Sequence, residues 1–332
     1  MPRTKINLEE VADFLKESGG YLSGAEMASR IGVTRAAIWK SVGLLKKEGY
    51  VIESSPSKGY KLVSPPDLCA YDLKKLLAAS SGRIAHQLFF AGQAASTNTL
   101  AMEMAARGCP EGTVVIADSQ TGGKGRLGRT WISPAGVNLY LSIVVRPGIQ
   151  PGDATGLTLL SAVACASAIR QSCGIPVSIK WPNDLLVGSR KIGGILTEIR
   201  ADMDRISHAV IGIGINVNLR EQDMPEDIRK IATSVLIESG KTSSRTGLAA
   251  ALLKEFDSWY MLLLKGGKRE IAERWTWLSS TISRHVRVAL GDRIFEGIAE
   301  RIDDEGLLIV RMADGSFRKF SAGDVTIGGA GT

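Results

Sequence analysis

Between Thr121 and Trp131 the chain reads T-G-G-K-G-R-L-G-R-T-W, four glycines and three cations with no carboxylate among them. The nearest acids in sequence are Asp118 before it and Asp153 after it, so Lys124, Arg126, Arg129 and Arg146 have no close neighbour to neutralise them. Such a stretch suits an anion, because glycines let backbone approach closely and the cations offset its charge. The plainer alternative is a solvated loop with incidental lysines and arginines.

The stretch also contains G-x-G-x-x-G at Gly123, Gly125 and Gly128, the spacing of a dinucleotide-binding turn. That reading requires a helix directly after the glycines and an acid about 20 residues further on. Trp131, Pro134 and Gly136 follow instead. Then Val137, Leu139, Leu141, Ile143 and Val145 alternate on one face of a strand. The expectation is a mobile cationic flap between two strands, which folds over a charged ligand that supplies the missing negative charge.

Ile211 to Asn218 reads I-G-I-G-I-N-V-N, with Ile211, Ile213, Ile215 and Val217 on one face and Gly212, Gly214, Asn216 and Asn218 on the other. Alternating glycines in a strand forfeit packing, so another body is expected against that face: a ligand, or else a helix or neighbouring backbone. Gly193 and Gly194 repeat the theme on what reads as the adjacent strand, after Arg190 and Lys191. A further strand ends at Lys180 and runs into W-P-N-D, whose turn puts Asn183 and Asp184 at its mouth. Asp184 and Asn216 are oxygen ligands of the kind Mg²⁺ takes beside nucleotide phosphates, although Asp184 taken singly reads as a turn residue. Together these features describe one pocket with glycine-lined strands, cations for carboxylate and phosphate, and oxygen ligands for magnesium.

At 332 residues the chain is long enough for two or three domains. Its 41 basic and 34 acidic residues give +7, which is compatible with nucleic acid or polyphosphate partners and demands neither. Cys69, Cys109, Cys165 and Cys173 show no C-x-x-C spacing. With only His86, His208 and His285 beside them, no zinc site can be read and reduced thiols are expected. The first residues are unlike a signal peptide, and the longest apolar run, Leu157 to Ile169, is short and alanine-rich for a bilayer span. A cytoplasmic location without membrane contact is expected.

The amino-terminal segment reads as helix, helix, glycine turn, helix. Val11, Phe14 and Leu15 mark the first helix; Met27 and Ile31 face inward from the second. Gly32 supplies the turn, Thr34 caps the third helix, and Ile38, Val42 and Leu45 form its buried stripe. Its solvent side carries Arg35, Lys40, Lys46 and Lys47 for phosphates, with Ser41 for base edges. Trp39, beside the stripe, reads as packing in preference to contact. Tyr50 to Val63 reads as a hairpin that would be a wing and adds Lys58. From Thr34 to Lys61 six cations face two acids, a local charge of +4. A dimerisation or docking module with wet lysines is the alternative. Ser64, Pro65 and Pro66 read as a linker. At the other end, Ser283 to Ile327 carries alternating Val286, Val288 and Leu290 with turns at Gly291-Asp292 and Asp314-Gly315, a small β module.

The series S-T-N (Ser96 to Asn98), G-G-K-G-R-L-G-R-T-W, K-W-P-N-D (Lys180 to Asp184), R-K-I-G-G-I-L-T-E (Arg190 to Glu198) and G-I-G-I-N-V-N closely resembles the biotin-protein ligase family. With a winged helix in front, the chain resembles the bifunctional form that is also the biotin operon repressor, from about residue 7 to 328. The resemblance implies an α+β multidomain chain. A winged helix-turn-helix occupies 1–66, a central mixed-sheet, class II synthetase-like biotin/lipoate ligase domain 67–281, and an SH3-like β-barrel 282–332.

Carried over by position, it implies biotin binding by Ser96, Thr97, Asn98, Gln120, Gly123, Lys124, Gly125, Arg126, Trp131, Lys191, Gly194 and Gly212, with Gly214 as a further strand glycine. ATP falls to Arg126, Arg129, Lys180, Asn183, Lys191 and Asn216, and Mg²⁺ to Asp184 and Asn216. Lys191 and Arg126 are the catalytic pair: Lys191 bridges biotin carboxylate and α-phosphate, and Arg126 retains the intermediate. The DNA-binding set is Thr34, Arg35, Lys40, Ser41, Lys46, Lys47 and Lys58. Two departures are visible. Ala95 stands where members commonly have an acid, and Lys124 and Leu127 stand where arginines are frequent. The implied partners are a biotin carboxyl carrier protein, operator DNA and a second copy in a ligand-promoted dimer, with biotinyl-5'-AMP as intermediate and corepressor. Competing readings are a ligand-sensing transcription factor without turnover and a ligase without DNA binding. A lipoate-type ligase lacks support, because its D-N-A-type motifs are absent.

Overall fold

A computed structural model describes residues 8–78, 82–202 and 204–328. The chain divides into two compact units, one ending at Asp72 and the other starting at Leu73. Residues 282–328 lie in the second unit.

In the first unit, α1 (Leu8–Ser18), α2 (Gly24–Ile31) and α3 (Arg35–Lys47) close on Val11, Leu15, Met27, Ile38, Val42 and Leu45, with Phe14 and Ile31 half-buried against them. The Ser23 side chain accepts from the Glu26 amide to cap α2. Gly32 ends that helix in the left-handed conformation, φ 74°, where a Cβ would be strained. Thr34 caps α3 by accepting from the Ala37 amide at 3.2 Å. The hairpin is β1 (Val51–Ser55) with antiparallel β2 (Gly59–Ser64). Gly59 is required there, because φ is 98° and a Cβ would come within 2.1 Å of the Leu22 carbonyl.

Two expectations on α3 are corrected. Ser41 is 4% exposed, because it lies three residues from Ile38 on the inner stripe, so base contact by its side chain is withdrawn. Trp39 does not pack: it is 71% exposed and absent from the core.

The helix α4 (Ala70–Leu77) leads into a seven-stranded mixed sheet. Its strands, in chain order, are β3 (Gln87–Ala94), β4 (Thr113–Gln120), β5 (Leu139–Val145), β6 (Ser178–Lys180), β7 (Asp184–Val187), β8 (Arg190–Asp202) and β9 (Arg205–Ile215). They pair in the order β3-β4-β5-β9-β8-β7-β6, parallel only between β3 and β4. Every residue of β5 is buried. The single apolar face expected from its alternation is thus one of two, because helices cover both sides. α5 (Thr97–Ala106) lies over one face. On the other lies α6 (Ala154–Cys173), where Thr158 meets Thr197 of β8 at 2.8 Å. α6 exceeds the apolar run read from the sequence and is long enough to cross a bilayer. Twelve of its residues are instead buried against the sheet, α9 (Arg245–Leu264) and α10 (Lys268–Leu278). The short helices α7 (Glu226–Arg229) and α8 (Val235–Ser239) precede α9.

The C-terminal segment forms an antiparallel sheet of β10 (His285–Leu290), β11 (Arg293–Ile302), β12 (Leu308–Met312), β13 (Phe317–Phe320) and β14 (Asp324–Ile327), ordered β13-β12-β11-β10-β14. The expected turns fall between β10 and β11 and between β12 and β13. Val286 and Val288 are buried, whereas Leu290, at the turn, is 47% exposed.

Candidate active site

The cationic stretch lies between β4 and β5, which are antiparallel, so no helix opens after its glycines. It is more ordered than a loose loop. Gly125 N–H donates to the Arg129 carbonyl at 2.7 Å and Trp131 N–H to the Gly123 carbonyl at 2.9 Å, making a narrow hairpin whose tip turns through Arg126–Gly128. Gly123 cannot carry a side chain, because its Cβ would lie 2.4 Å from the Trp131 carbonyl oxygen.

One wall of the site starts at the N-terminus of α5, capped by Ser96. The Gln120 Oε1 accepts from the Thr97 amide at 2.9 Å and its hydroxyl at 3.2 Å, while Gln120 Nε2 donates to Ser133 Oγ at 2.9 Å. Asn98 Nδ2 donates to Glu198 Oε2 at 2.7 Å, and Ser142 Oγ donates to Asn98 Oδ1 at 2.6 Å. Ser96, Thr97 and Asn98 are all at most 4% exposed, so this network is rigid and fully committed in direction.

The glycines of β9 form the floor. A Cβ on Gly212 would sit 2.1 Å from Asn98 Oδ1, and one on Gly214 2.6 Å from the Trp131 indole. The body expected against this face is therefore first of all the protein's own Asn98 and Trp131. The indole Nε1 is buried and, among the described residues, has no hydrogen-bond partner, which leaves a donor unsatisfied at this wall. Gly194, paired with Gly214, makes room for Lys191, whose Cε would be 3.3 Å from an added Cβ.

The charged wall is built by β6, β7 and β8. Lys191 Nζ lies 2.5 Å from Asp184 Oδ1 and 5.5 Å from the Trp131 ring centre, and Lys180 Nζ lies 3.5 Å from Asp184 Oδ2. Arg126 donates to Asn183 Oδ1 at 3.2 Å and to the Gly323 carbonyl at 3.3 Å. Burial lowers the Arg126 pKa, opposed by the charges of Asp324 and Asp184, so the guanidinium stays a cation. Arg129 pairs with Asp324, an acid 195 residues away that the local sequence hides. Arg146 is no part of the flap: it donates to the carbonyls of Ser207, Ala105 and Cys109 and ties strands to α5. Asn216 is fixed by donating to the Thr233 carbonyl at 3.0 Å.

A cavity of about 1170 Å³ brings these residues together. Ser96, Thr97, Asn98, Gln120, Lys124, Gly125, Arg126, Arg129, Trp131, Lys180, Asn183, Asp184, Lys191, Gly194, Gly212, Gly214 and Asn216 all line it. Gly123 does not; it holds the flap hairpin. Asp184 and Asn216 offer one carboxylate and one amide, hard oxygen donors that suit Mg²⁺, an ion that keeps most of its waters. Sequence reasoning missed Ser142 and Glu198. Glu198 closes the quoted R-K-I-G-G-I-L-T-E run, and Ser142 is the lone small polar residue of β5, so a signal existed for both. It also missed the C-terminal lining, Asp324 to Gly328, which only tertiary folding reveals.

The DNA set lies in the first unit. Arg35, Lys40 and Lys47 are exposed on α3, Lys46 donates to Ser54 Oγ at 3.0 Å, and Lys58 Nζ lies 5.7 Å from the Tyr21 ring centre.

Comparison with known proteins agrees with this layout. Residues 90–216 match the biotin/lipoate A/B protein ligase family, 7–61 an HTH domain, and 281–328 the biotin protein ligase C terminal domain. The chain is 34% identical over 326 residues to the bifunctional ligase/repressor BirA of Bacillus subtilis, covering 98% of this chain and all of that one. It is 32% identical over 313 residues to the protein of the same name from Escherichia coli, covering 94% and 95%. The biotin protein ligase of Aquifex aeolicus, solved in complex with biotin and ATP, superposes with a TM-score of 0.62 at 26% identity, over 74% of this chain and all of that one. On sequence, domain order and site geometry, the chain belongs to the biotin-protein ligase family, in the form that joins a ligase to a helix-turn-helix domain.

Proposed function

We propose that this protein is an ATP-dependent biotin-protein ligase that also acts as a biotin-responsive repressor. The observation that carries the reading is the shared cavity, which Lys191, Arg126, Trp131 and the strand glycines Gly194, Gly212 and Gly214 all line. Biotin's carboxylate attacks the α-phosphorus of ATP and pyrophosphate leaves. Both partners are anions, and unit charges about 4 Å apart near a protein surface repel by about 4 kcal/mol, which Lys191 and Arg126 offset. Asp184 and Asn216 are the residues that would hold Mg²⁺, which when bound spreads phosphate charge. Biotinyl-5'-AMP is a mixed anhydride open to water, and the flap excludes solvent while it persists. A lysine amine of a biotin carboxyl carrier protein then attacks the carbonyl and AMP departs.

The Thr97–Gln120 and Asn98–Glu198 network is the ureido end of the biotin subsite, Trp131 lines the tail, and Arg129, Lys180 and Asn183 attend the triphosphate. The hairpin acts as a wing and α3 as the DNA-reading helix. The C-terminal sheet is an SH3-like barrel, and the central sheet is of the class II synthetase kind. Ordering of the flap by biotinyl-5'-AMP favours a two-fold dimer on a two-fold operator, making the adenylate the corepressor. Incubation of an acceptor domain with the protein, ATP, Mg²⁺ and biotin, followed by mass spectrometry, is expected to show a mass gain on one lysine. An unmodified acceptor would overturn the ligase reading.

A further inference from the structure

Among the exposed large apolar side chains described in the first unit, Tyr21, Trp39, Leu44, Val51 and Val63, Trp39 is the most exposed. Trp39 is 71% exposed in the middle of α3, whereas Ile38, Val42 and Leu45 of the same helix are at most 3% exposed. A lone exposed aromatic is ordinary on a protein surface, but these surroundings are not. One turn away on the same face lie Arg35 and Ala36 on one side and Gly43 on the other, all exposed. A Cβ on Gly43 would meet nothing within 4 Å. The indole thus stands clear of a bare strip of helix. Arg35, Lys40 and Lys47 are exposed around it and, among the described residues, have no carboxylate partner.

A second copy of this face would bring like charges together, whereas a polyanion would neutralise them. The occupant that fits is duplex DNA. In the major groove the only apolar feature of a base edge is the thymine 5-methyl group, and the indole also brings one N–H donor. We propose that Trp39 is a base-reading residue: it packs on a thymine methyl while the neighbouring cations hold phosphates. The proposal rests on the DNA-binding reading of α3 given above and adds its sequence-determining contact.

The test uses the full-length protein with ATP, Mg²⁺ and biotin and a pool of duplexes randomised over several helical turns. Bound duplexes are sequenced, and affinities then follow from fluorescence anisotropy. Wild type is expected to enrich a defined sequence, and Trp39→Ala to bind it about tenfold more weakly, the scale of one good base contact. Both are expected to bind unrelated duplexes equally. Replacing the contacted thymine by uracil is expected to weaken wild type by a similar factor and leave Trp39→Ala unchanged. Biotin transfer and melting temperature should not move, since the side chain is outside core and cavity. The proposal is overturned if Trp39→Ala enriches the same sequence with equal affinity, if its loss is the same on every duplex, or if uracil has no effect. Failure of the DNA reading itself is distinguishable, because wild type would then bind no duplex.

Discussion

Lys191 Nζ and Asp184 Oδ1 lie 2.5 Å apart on neighbouring strands of the cavity wall, and the second oxygen of Asp184 faces Lys180. One carboxylate thus holds two ammonium groups, of which that of Lys191 lies beside the Trp131 ring. Such a partly exposed pair contributes about 1 kcal/mol or less to stability, so its worth is positional. Lys191→Ala is expected to keep its melting temperature and to lose ATP–pyrophosphate exchange by about 100-fold or more, the scale of removing one preorganised charge from a transition state. Normal exchange by this variant would overturn the assignment.

Arg126 reaches both Asn183 and the Gly323 carbonyl, so it spans flap, turn and C-terminal sheet. Its expected role is retention. Arg126→Gly should still form adenylate but release it, seen as biotinyl-5'-AMP in the filtrate after ultrafiltration and as labelling of bystander lysines. Adenylate that stays wholly protein-bound would argue against that role.

The two floor glycines make a paired prediction. At Gly214 an added methyl meets the indole of Trp131, which belongs to the flap hairpin between β4 and β5 and not to a packed helix. At Gly212 it meets Asn98, which is 3% exposed and pinned by Glu198 and Ser142. Gly214→Ala is therefore expected to raise the KM for biotin about tenfold or more with melting nearly unchanged, while Gly212→Ala also loses about 1–3 kcal/mol of stability by overpacking. Equal melting losses in a denaturation series would show that the indole is as fixed as the amide.

The contrast between these glycines also marks what the sequence could reveal. A period of two with glycine on one face announces a close approach, and the strand that carries it followed from local rules. It does not announce which body approaches, because Asn98 and Trp131 arrive from other elements. Likewise the charge of the flap was visible, but Asp324, the partner of Arg129, is brought in by β14. Ser41 and Trp39 were misplaced because a helix stripe read from three residues fixes its centre and leaves its edges open by a residue on each side.

His208 offers a stability test remote from the site. It is 5% exposed, and burial, with Arg146 and Arg200 nearby, lowers its pKa below the ordinary value. The unfolded chain therefore binds the proton more readily, so stability rises with pH across the interval between the depressed value and about 6.5. Acidification from neutral pH is expected to lower the melting temperature through that interval, and His208→Gln to flatten this part of the profile. An unchanged slope in the variant would assign the acid sensitivity elsewhere.

The flap is tethered to the C-terminal sheet by Arg129 and Asp324, whose side chains are 68% and 31% exposed. Exposed pairs contribute about 0.2–1 kcal/mol, too little to matter for global melting but enough to change a local opening equilibrium by up to about fivefold. Trypsin cuts after Lys124, Arg126 and Arg129, so it reports that opening directly. Asp324→Ala is expected to speed cleavage in this segment several-fold in the ligand-free protein while its unfolding midpoint stays put. Biotin with ATP should protect both forms, because the bound anions replace the missing carboxylate as partners of the flap cations. Equal cleavage rates in the two ligand-free proteins would mean that the backbone bonds of the hairpin, rather than this ion pair, keep the flap closed.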